Sequence, residues 1–318
     1  MIGTDIGKAA QLLQNGEVVA IPTETVYGLA ANAFDAKAVA QIFKVKNRPF
    51  FDPLIVHTNN LEKIEDGVEE VPPLAKQVAQ TFWPGPLTIV LKKKSVIPDL
   101  VTAGNNTVAV RIPNHPLTLQ LLDQLNFPVA APSANPFGYV SPTTAQHVED
   151  QLGEAIPYIL DGGACSVGIE STILSFAKEK PTVLRLGGTS LEKLKQILGD
   201  FDVDINQHSN PQAPGQTDSH YAPKTKFIVG DVKFYKPDYK QIENIGAITL
   251  SQKVEWLPHY QQIQLSKSGN LEEAASNIFS AMRILDKKGL QLILAEPMPD
   301  EGLGRAINDR LKRAAHKL

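Results

Sequence analysis

Lys46 and Arg48 stand two residues apart, just past a helical pattern and before Pro49. Two cations so placed can converge on one anion, and arginine can grip a carboxylate or phosphate through two parallel N–H donors. The same pair also suits a plain basic last turn that offsets a helix dipole. A second candidate is the segment TVAVRIP, from Thr107 to Pro113. Period-two alternation puts Thr107, Ala109 and Arg111 on one face and Val108, Val110 and Ile112 on the other. The apolar face is core. The other is either a ligand floor with Arg111 on a carboxylate or phosphate, or a half-exposed face with a solvated arginine.

Hydroxyl and amide groups cluster in three further segments. APSANPFG (Ala131 to Gly138) is a turn in which Ser133 and Asn135 either bond a ligand or satisfy their own backbone. SPTTAQHVEDQ (Ser141 to Gln151) predicts a helix with Ser141 as N-cap and Pro142 in the first turn, and a helix N-terminus also suits an anion. GIESTIL (Gly168 to Leu174) offers a glycine turn running into a strand that begins with Glu170, Ser171 and Thr172. Early in the chain, PTETVYGLAANAF supplies Thr23, Thr25 and Tyr27 in a hydroxyl-rich turn after a strand. His57 ends the strand PLIVH, as a ligand contact, a general base or a structural residue.

Other chemistries lack their residues. There is no GxxxxGK[ST] loop, no GxGxxG after a strand and no HExxH, HxH or HxxxH pair, so no protein metal site is expected. The single cysteine, Cys165, excludes an intramolecular disulfide and a cysteine-cluster zinc site, and suits a reducing cytosol. Thirty-one basic against 34 acidic residues give a net charge of −3, so no bulk positive field holds nucleic acid. With 42% hydrophobic residues and no apolar run of membrane-spanning length or signal-peptide order, a globular, cytoplasmic protein is expected, without a membrane contact.

The 318 residues suggest about two domains at roughly 150 residues each. Helices are expected over Gly7 to Asn15, Ala36 to Val45, Pro73 to Thr81, His115 to Leu125 and Ser190 to Leu198, and strands in VVAI, PLIVH, LTIVL, TVAVRIP, PYILD, STILSF and TVLRL. Pro49 disfavours helix in the residue before it, so the second helix must end near Arg48. Asn206 to Pro223 has three prolines and no apolar periodicity, and reads as a linker or functional loop between residues 1–205 and 224–318. Beyond it, strands KFIVG, GAITL and LILAE with helices over Asn270 to Lys288 and Gly304 to Lys317 predict a small α/β domain.

Together these segments resemble the family of L-threonylcarbamoyladenylate synthases, in its longer two-domain Sua5 form rather than the single-domain YrdC form. The likeness rests on PTETVYGL, Lys46/Arg48 followed by PLIVH, WPGPLT, VAVRIP, the pair Ser133/Asn135, SPTTA, GIESTI, LRLG around Arg185, and PGQTDSHYAPK, all in family order. With GLGRAINDRLKRAA it spans essentially the whole chain. It implies an α/β fold: a YrdC-like, strongly twisted mixed sheet that opens into a large concave cavity, and a small Rossmann-like C-terminal domain. The implied reaction joins L-threonine, bicarbonate or carbon dioxide, and ATP into threonylcarbamoyl-AMP and pyrophosphate. The product would serve the t6A modification at position 37 of tRNAs reading ANN codons, through a TsaD/Kae1-type transferase, with a possible weak tRNA contact.

Carried over by position, the resemblance assigns Lys46, Arg48, Asp52, Thr107, Ser133, Ser141 and Arg185 to ATP, with Tyr221 of the linker closing over it. Thr25, His57, Arg111, Ala131 and Ser171 go to threonine, with Arg111 on its carboxylate. Lys46, Arg48, Ser133 and Asn135 form the catalytic set, and magnesium is expected on the triphosphate. Asp52 stands where relatives often have Asn, and Ala131 where some have a hydroxyl-bearing residue. The linker is less basic than in others, although Pro214, Gly215, His220 and Tyr221 persist.

Two rivals remain. A nucleic-acid-binding module would use Arg305, Arg310, Lys312, Arg313 and Lys317 of the last helix, which read equally as a solvated face. A carbamoyl-adenylating domain of the hydrogenase-maturation kind would need zinc-binding cysteines that one cysteine cannot supply.

Overall fold

A computed structural model describes residues 1–205, 214, 221–235 and 239–315. In chain order its elements are β1 (Ile2–Gly3), α1 (Ile6–Gln14), β2 (Val19–Ile21), β3 (Gly28–Asn32), α2 (Ala36–Lys46), β4 (Ile55–His57), α3 (Glu62–Glu65), α4 (Pro73–Phe82), β5 (Leu87–Lys92), α5 (Asp99–Thr102), β6 (Thr107–Arg111), α6 (Pro116–Asp123) and β7 (Val129–Ala130). There follow α7 (Ala145–Leu152), β8 (Tyr158–Leu160), β9 (Thr172–Ser175), β10 (Thr182–Arg185), α8 (Leu191–Leu198), β11 (Asp202–Val203), β12 (Lys226–Val229), β13 (Ile245–Thr249), β14 (Gln262–Gln264), α9 (Leu271–Asp286), β15 (Leu292–Ala295) and α10 (Gly304–Ala315).

Among the described residues, eleven strands form one mixed sheet in the order β1-β8-β2-β3-β7-β4-β6-β5-β9-β10-β11, and four parallel strands form a second, β12-β15-β13-β14. The first sheet thus ends at Val203 and the second begins at Lys226. Most of the predicted linker lies outside the described residues, which keep only Pro214 and the stretch from Tyr221 onward.

Local rules explain the elements that set up the site. Asp35 caps α2 by accepting from the Lys37 and Ala38 amides, and Ala38, Val39, Ile42 and Phe43 make its buried stripe. Lys46 falls in phase with that stripe and is itself buried. Asn47 then closes the helix in the left-handed region at φ 51°, which turns Arg48 back toward the sheet. In β6, Val108 and Val110 join the main core, whereas Ala109 belongs to a separate cluster with Ile55, Val90, Ile173 and Leu184. The alternation predicted for this strand is therefore present. Parallel pairing of β4 with β6 sets Ile55 beside Ala109 and His57 beside Arg111.

One cap differs from expectation. Thr144, not Ser141, caps α7, its hydroxyl accepting from the His147 amide at 3.2 Å. Ser141 instead donates its hydroxyl to Glu170 Oε1 at 2.5 Å. The later part of PTETVYGLAANAF, read as a turn, is strand β3, antiparallel to β2.

Candidate functional site

Strand ends from across the large sheet meet at a single cavity. Thr25, Arg48, His57, Arg111, Ala131, Ser133, Ser171, Arg185 and Tyr221 line it, so the fold gathers nine of the expected residues although they lie up to 196 positions apart (221 − 25). Most are buried, which places their polar groups in a low-dielectric wall where each interaction is stronger than in water.

At one end lies the Arg111 guanidinium. Its Nε donates to the Gly85 carbonyl at 3.2 Å, Nη1 donates to Thr25 Oγ1 at 2.9 Å, and Nη2 sits 2.7 Å from Glu24 Oε2. A guanidinium has five N–H groups, so one on each terminal nitrogen remains for an incoming anion. Next to it, His57 Nδ1 donates to the Ile55 carbonyl at 3.1 Å, which leaves Nε2 as an acceptor. Burial, reinforced by Arg111, drives the His57 pKa down to about 3, so the ring is neutral at physiological pH. This corner offers a cation for a carboxylate, a neutral acceptor and the Thr25 hydroxyl.

The other end carries Arg48 and Arg185. Arg48 donates to the Asp52 and Pro53 carbonyls at 3.1 and 2.8 Å and pairs with the Asp52 carboxylate at 2.9 Å. Arg185 Nε and Nη2 hold the Ser171 carbonyl at 3.1 and 2.9 Å, and Nη1 donates to the Pro214 carbonyl at 3.1 Å. Burial lowers the pKa of both arginines, yet guanidinium stays charged at neutral pH, so two desolvated cations face the cavity. Tyr221 lies between the units, its ring stacked on Phe279 of α9 at 5.5 Å with its backbone at φ 66°.

Five expected residues stand outside the cavity lining. Lys46 Nζ donates to the Ser133 carbonyl at 2.6 Å and to the Asn135 carbonyl, so it ties down the Ser133–Asn135 turn from behind. Asn135 bonds its own turn, donating to the Pro136 and Tyr139 carbonyls at 2.8 and 2.9 Å. Asp52 and Ser141 stand behind Arg48 and Glu170. Thr107 opens β6 while Arg111 closes it, and it pairs with Lys92 at the far end of the strand, roughly 13 Å away at about 3.3 Å per residue.

Sequence reasoning passed over Glu24 as the partner of Arg111 and gave Glu170 no role. A buried arginine needs a carboxylate nearby, and both glutamates sit inside motifs already singled out. The last helix is also corrected. Arg310 is fully buried on Glu170, Arg313 is mostly buried and pairs with Asp309 at 3.0 Å, and Arg305 pairs with Glu192. Arg310 and Arg313 are spent inside the molecule and Arg305 in a surface pair, so three of the five cations named for the last helix already have acidic partners.

The chain matches two family models, the Sua5/YciO/YrdC model described as "Telomere recombination" over residues 11–187 and "Threonylcarbamoyl-AMP synthase, C-terminal domain" over residues 189–316. It is 38% identical to the threonylcarbamoyl-AMP synthase of Pyrococcus abyssi, across 96% of this chain and 93% of that protein. It is 39% identical to that of Bacillus subtilis, across 98% and 92%. The crystal structure of P. abyssi Sua5 complexed with L-threonine superposes with a TM-score of 0.89 at 38% identity, covering 98% of this chain and 94% of that one.

Proposed function

Because the chain belongs to the Sua5 family of threonylcarbamoyl-AMP synthases, we propose that it joins L-threonine, bicarbonate or carbon dioxide, and ATP into threonylcarbamoyl-AMP, releasing pyrophosphate. The observation that carries this reading is one cavity whose wall brings together Arg111, His57 and Thr25, suited to a carboxylate, and the cations Arg48 and Arg185, suited to phosphates.

In this reading, Arg111 takes the threonine carboxylate through its two remaining N–H groups. His57 Nε2 accepts a hydrogen bond from the substrate hydroxyl or amine, and Thr25, Ala131 and Ser171 complete that pocket. The carbamate formed on the amine attacks the α-phosphorus in line, its oxygen forming the new P–O bond as pyrophosphate departs. Such phosphoryl chemistry needs positioning and cations on the phosphate oxygens more than a protein nucleophile. Arg48, Arg185 and Ser133 hold the phosphates, Tyr221 covers the nucleotide, and Lys46 and Asn135 act by fixing the turn that carries Ser133. Thr107 would touch only a nucleotide extended along β6.

Magnesium fits as an ion carried by the triphosphate. Among the described residues no group of three His, Cys, Asp or Glu side chains is placed to hold a metal. A cation that keeps its waters and binds phosphate oxygens needs no such cage. When bound, it would offset charge on the leaving pyrophosphate. The labile product would pass to a TsaD/Kae1-type transferase for t6A formation at position 37 of tRNAs reading ANN codons. No described helix is long and apolar enough to cross a membrane, and the proposed setting is the cytoplasm.

The test is pyrophosphate release from ATP by the purified full-length chain. Release that requires both L-threonine and bicarbonate supports the reading; folded protein that leaves ATP intact with both present overturns it.

A further inference from the structure

We infer that Arg310, reaching in from the C-terminal unit, is a positioning residue for nucleotide binding: it neutralises Glu170 so that this carboxylate can hold Ser141 without repelling the triphosphate. The inference rests on the ATP reading above.

Glu170 lines the cavity together with Arg48 and Arg185, an awkward place for a carboxylate if the ligand is a polyanion. Its two oxygens have separate duties. Oε1 accepts the Ser141 hydroxyl at 2.5 Å, and Oε2 pairs with Arg310 Nε at 3.1 Å. Arg310 is 0% exposed, and its Nη1 also donates to the Leu186 carbonyl at 2.6 Å and to Asp309 Oδ2 at 3.1 Å. Asp309 pairs in turn with Arg313 at 3.0 Å. Among the described residues, Arg310 pairs with both Glu170 and Asp309, so its charge offsets the carboxylate that Glu170 presents to the cavity.

The backbone keeps Glu170 within reach of α10. Gly168, at φ 74°, lies so close to α9 that an added Cβ would overlap the Ser276 backbone. The Glu170 carbonyl accepts the Gly188 amide at 2.9 Å. The loop cannot swing away to solvate its carboxylate if Arg310 is lost. The Arg310 guanidinium also lies 5.4 Å from the centre of the Tyr221 ring, so the same cation seats the aromatic residue proposed to cover the nucleotide.

The test compares full-length wild type, Arg310→Met, Glu170→Gln and the double variant, by calorimetric titration with ATP and by KM in pyrophosphate release, with thermal unfolding alongside. Arg310→Met keeps the side chain's bulk and should weaken ATP at least tenfold while shifting the threonine KM less than threefold. Adding Glu170→Gln, which keeps an acceptor for Ser141 but removes the charge, should recover at least half of that loss on a logarithmic scale. Equal ATP affinity in Arg310→Met and wild type, or no recovery in the double variant, would overturn the proposal. If Arg310→Met does not fold, Arg310→Lys with and without Glu170→Gln decides by the same titration. Wild type that binds ATP but makes no adenylate would count against the proposed reaction, leaving the charge relation to be judged from the titrations; wild type that binds no ATP would sink both.

Discussion

The Asp52 carboxylate lies 2.9 Å from the Arg48 guanidinium, with side-chain exposures of 0% and 3%. Neither Asp52 oxygen has a hydrogen-bond partner, and burial pushes its pKa up while Arg48, Lys46 and Arg185 pull it down. A carboxyl group behind the cavity wall thus already holds Arg48, and phosphate oxygens must share Arg48 with it. Asp52→Asn should lower the KM for ATP roughly three- to tenfold, about 0.7–1.4 kcal/mol. Removing one partner of a buried pair should also cost the unliganded protein on the order of 3 kcal/mol. Thermal unfolding with and without ATP checks both effects: the variant should start lower and gain more from ATP. An ATP-induced shift equal to wild type would refute the competition.

Lys46 should matter through the turn it holds. Lys46→Ala leaves the Ser133 and Asn135 carbonyls without their buried donor, a penalty of about 1–3 kcal/mol. The adenylation rate should fall at least tenfold, about 1.4 kcal/mol, together with the melting temperature. A wild-type rate in this variant would remove Lys46 from the account.

Arg111→Ala should act on threonine. With Glu24 left unpaired and the carboxylate-binding cation gone, the threonine KM should rise at least tenfold while that for ATP changes less than threefold. Steady-state kinetics with each substrate varied in turn give the answer. A raised ATP KM with unchanged threonine KM would mean that Arg111 serves the other substrate.

His57 gives a pH signature with a definite sign. Its folded pKa of about 3 lies below the ordinary 6.5, so between these values the unfolded chain binds the proton more readily. The His57 contribution to stability is therefore complete above about pH 6.5 and declines as pH falls toward 3. His57→Gln should flatten the stability profile between pH 4 and pH 6.5, measured by denaturant unfolding at several pH values. A slope identical to wild type would contradict a neutral, buried His57.

Much of the local structure was legible because local rules decide it. The stripe Ala38, Val39, Ile42, Phe43 announces α2, Pro49 its end, and the alternation in β6 separates Val108 and Val110 from Arg111. Pairings across the chain were not legible. His57 meets Arg111, 54 positions further along the chain, through a parallel register set by the whole sheet. Ser141 carries a good cap signal, but Thr144 takes the cap and the Ser141 hydroxyl goes to Glu170, a choice made by tertiary contact. The basic last helix looked solvated because its long-range partners do not show in the local sequence: Glu170 and Glu192 lie more than a hundred residues upstream. The resemblance supplied the site residues that periodicity alone left ambiguous, while the partners that neutralise them, Glu24, Asp52 and Arg310, emerge only from packing.

The central claim is that threonine, inorganic carbon and ATP react within one cavity, and the most direct measurement is the mass of the adenylate formed with ¹³C-labelled bicarbonate. The account predicts a product with the mass of threonylcarbamoyl-AMP, one mass unit heavier with labelled than with ordinary bicarbonate, that disappears when threonine is omitted. An AMP adduct that carries no label, or one formed without threonine, would contradict it.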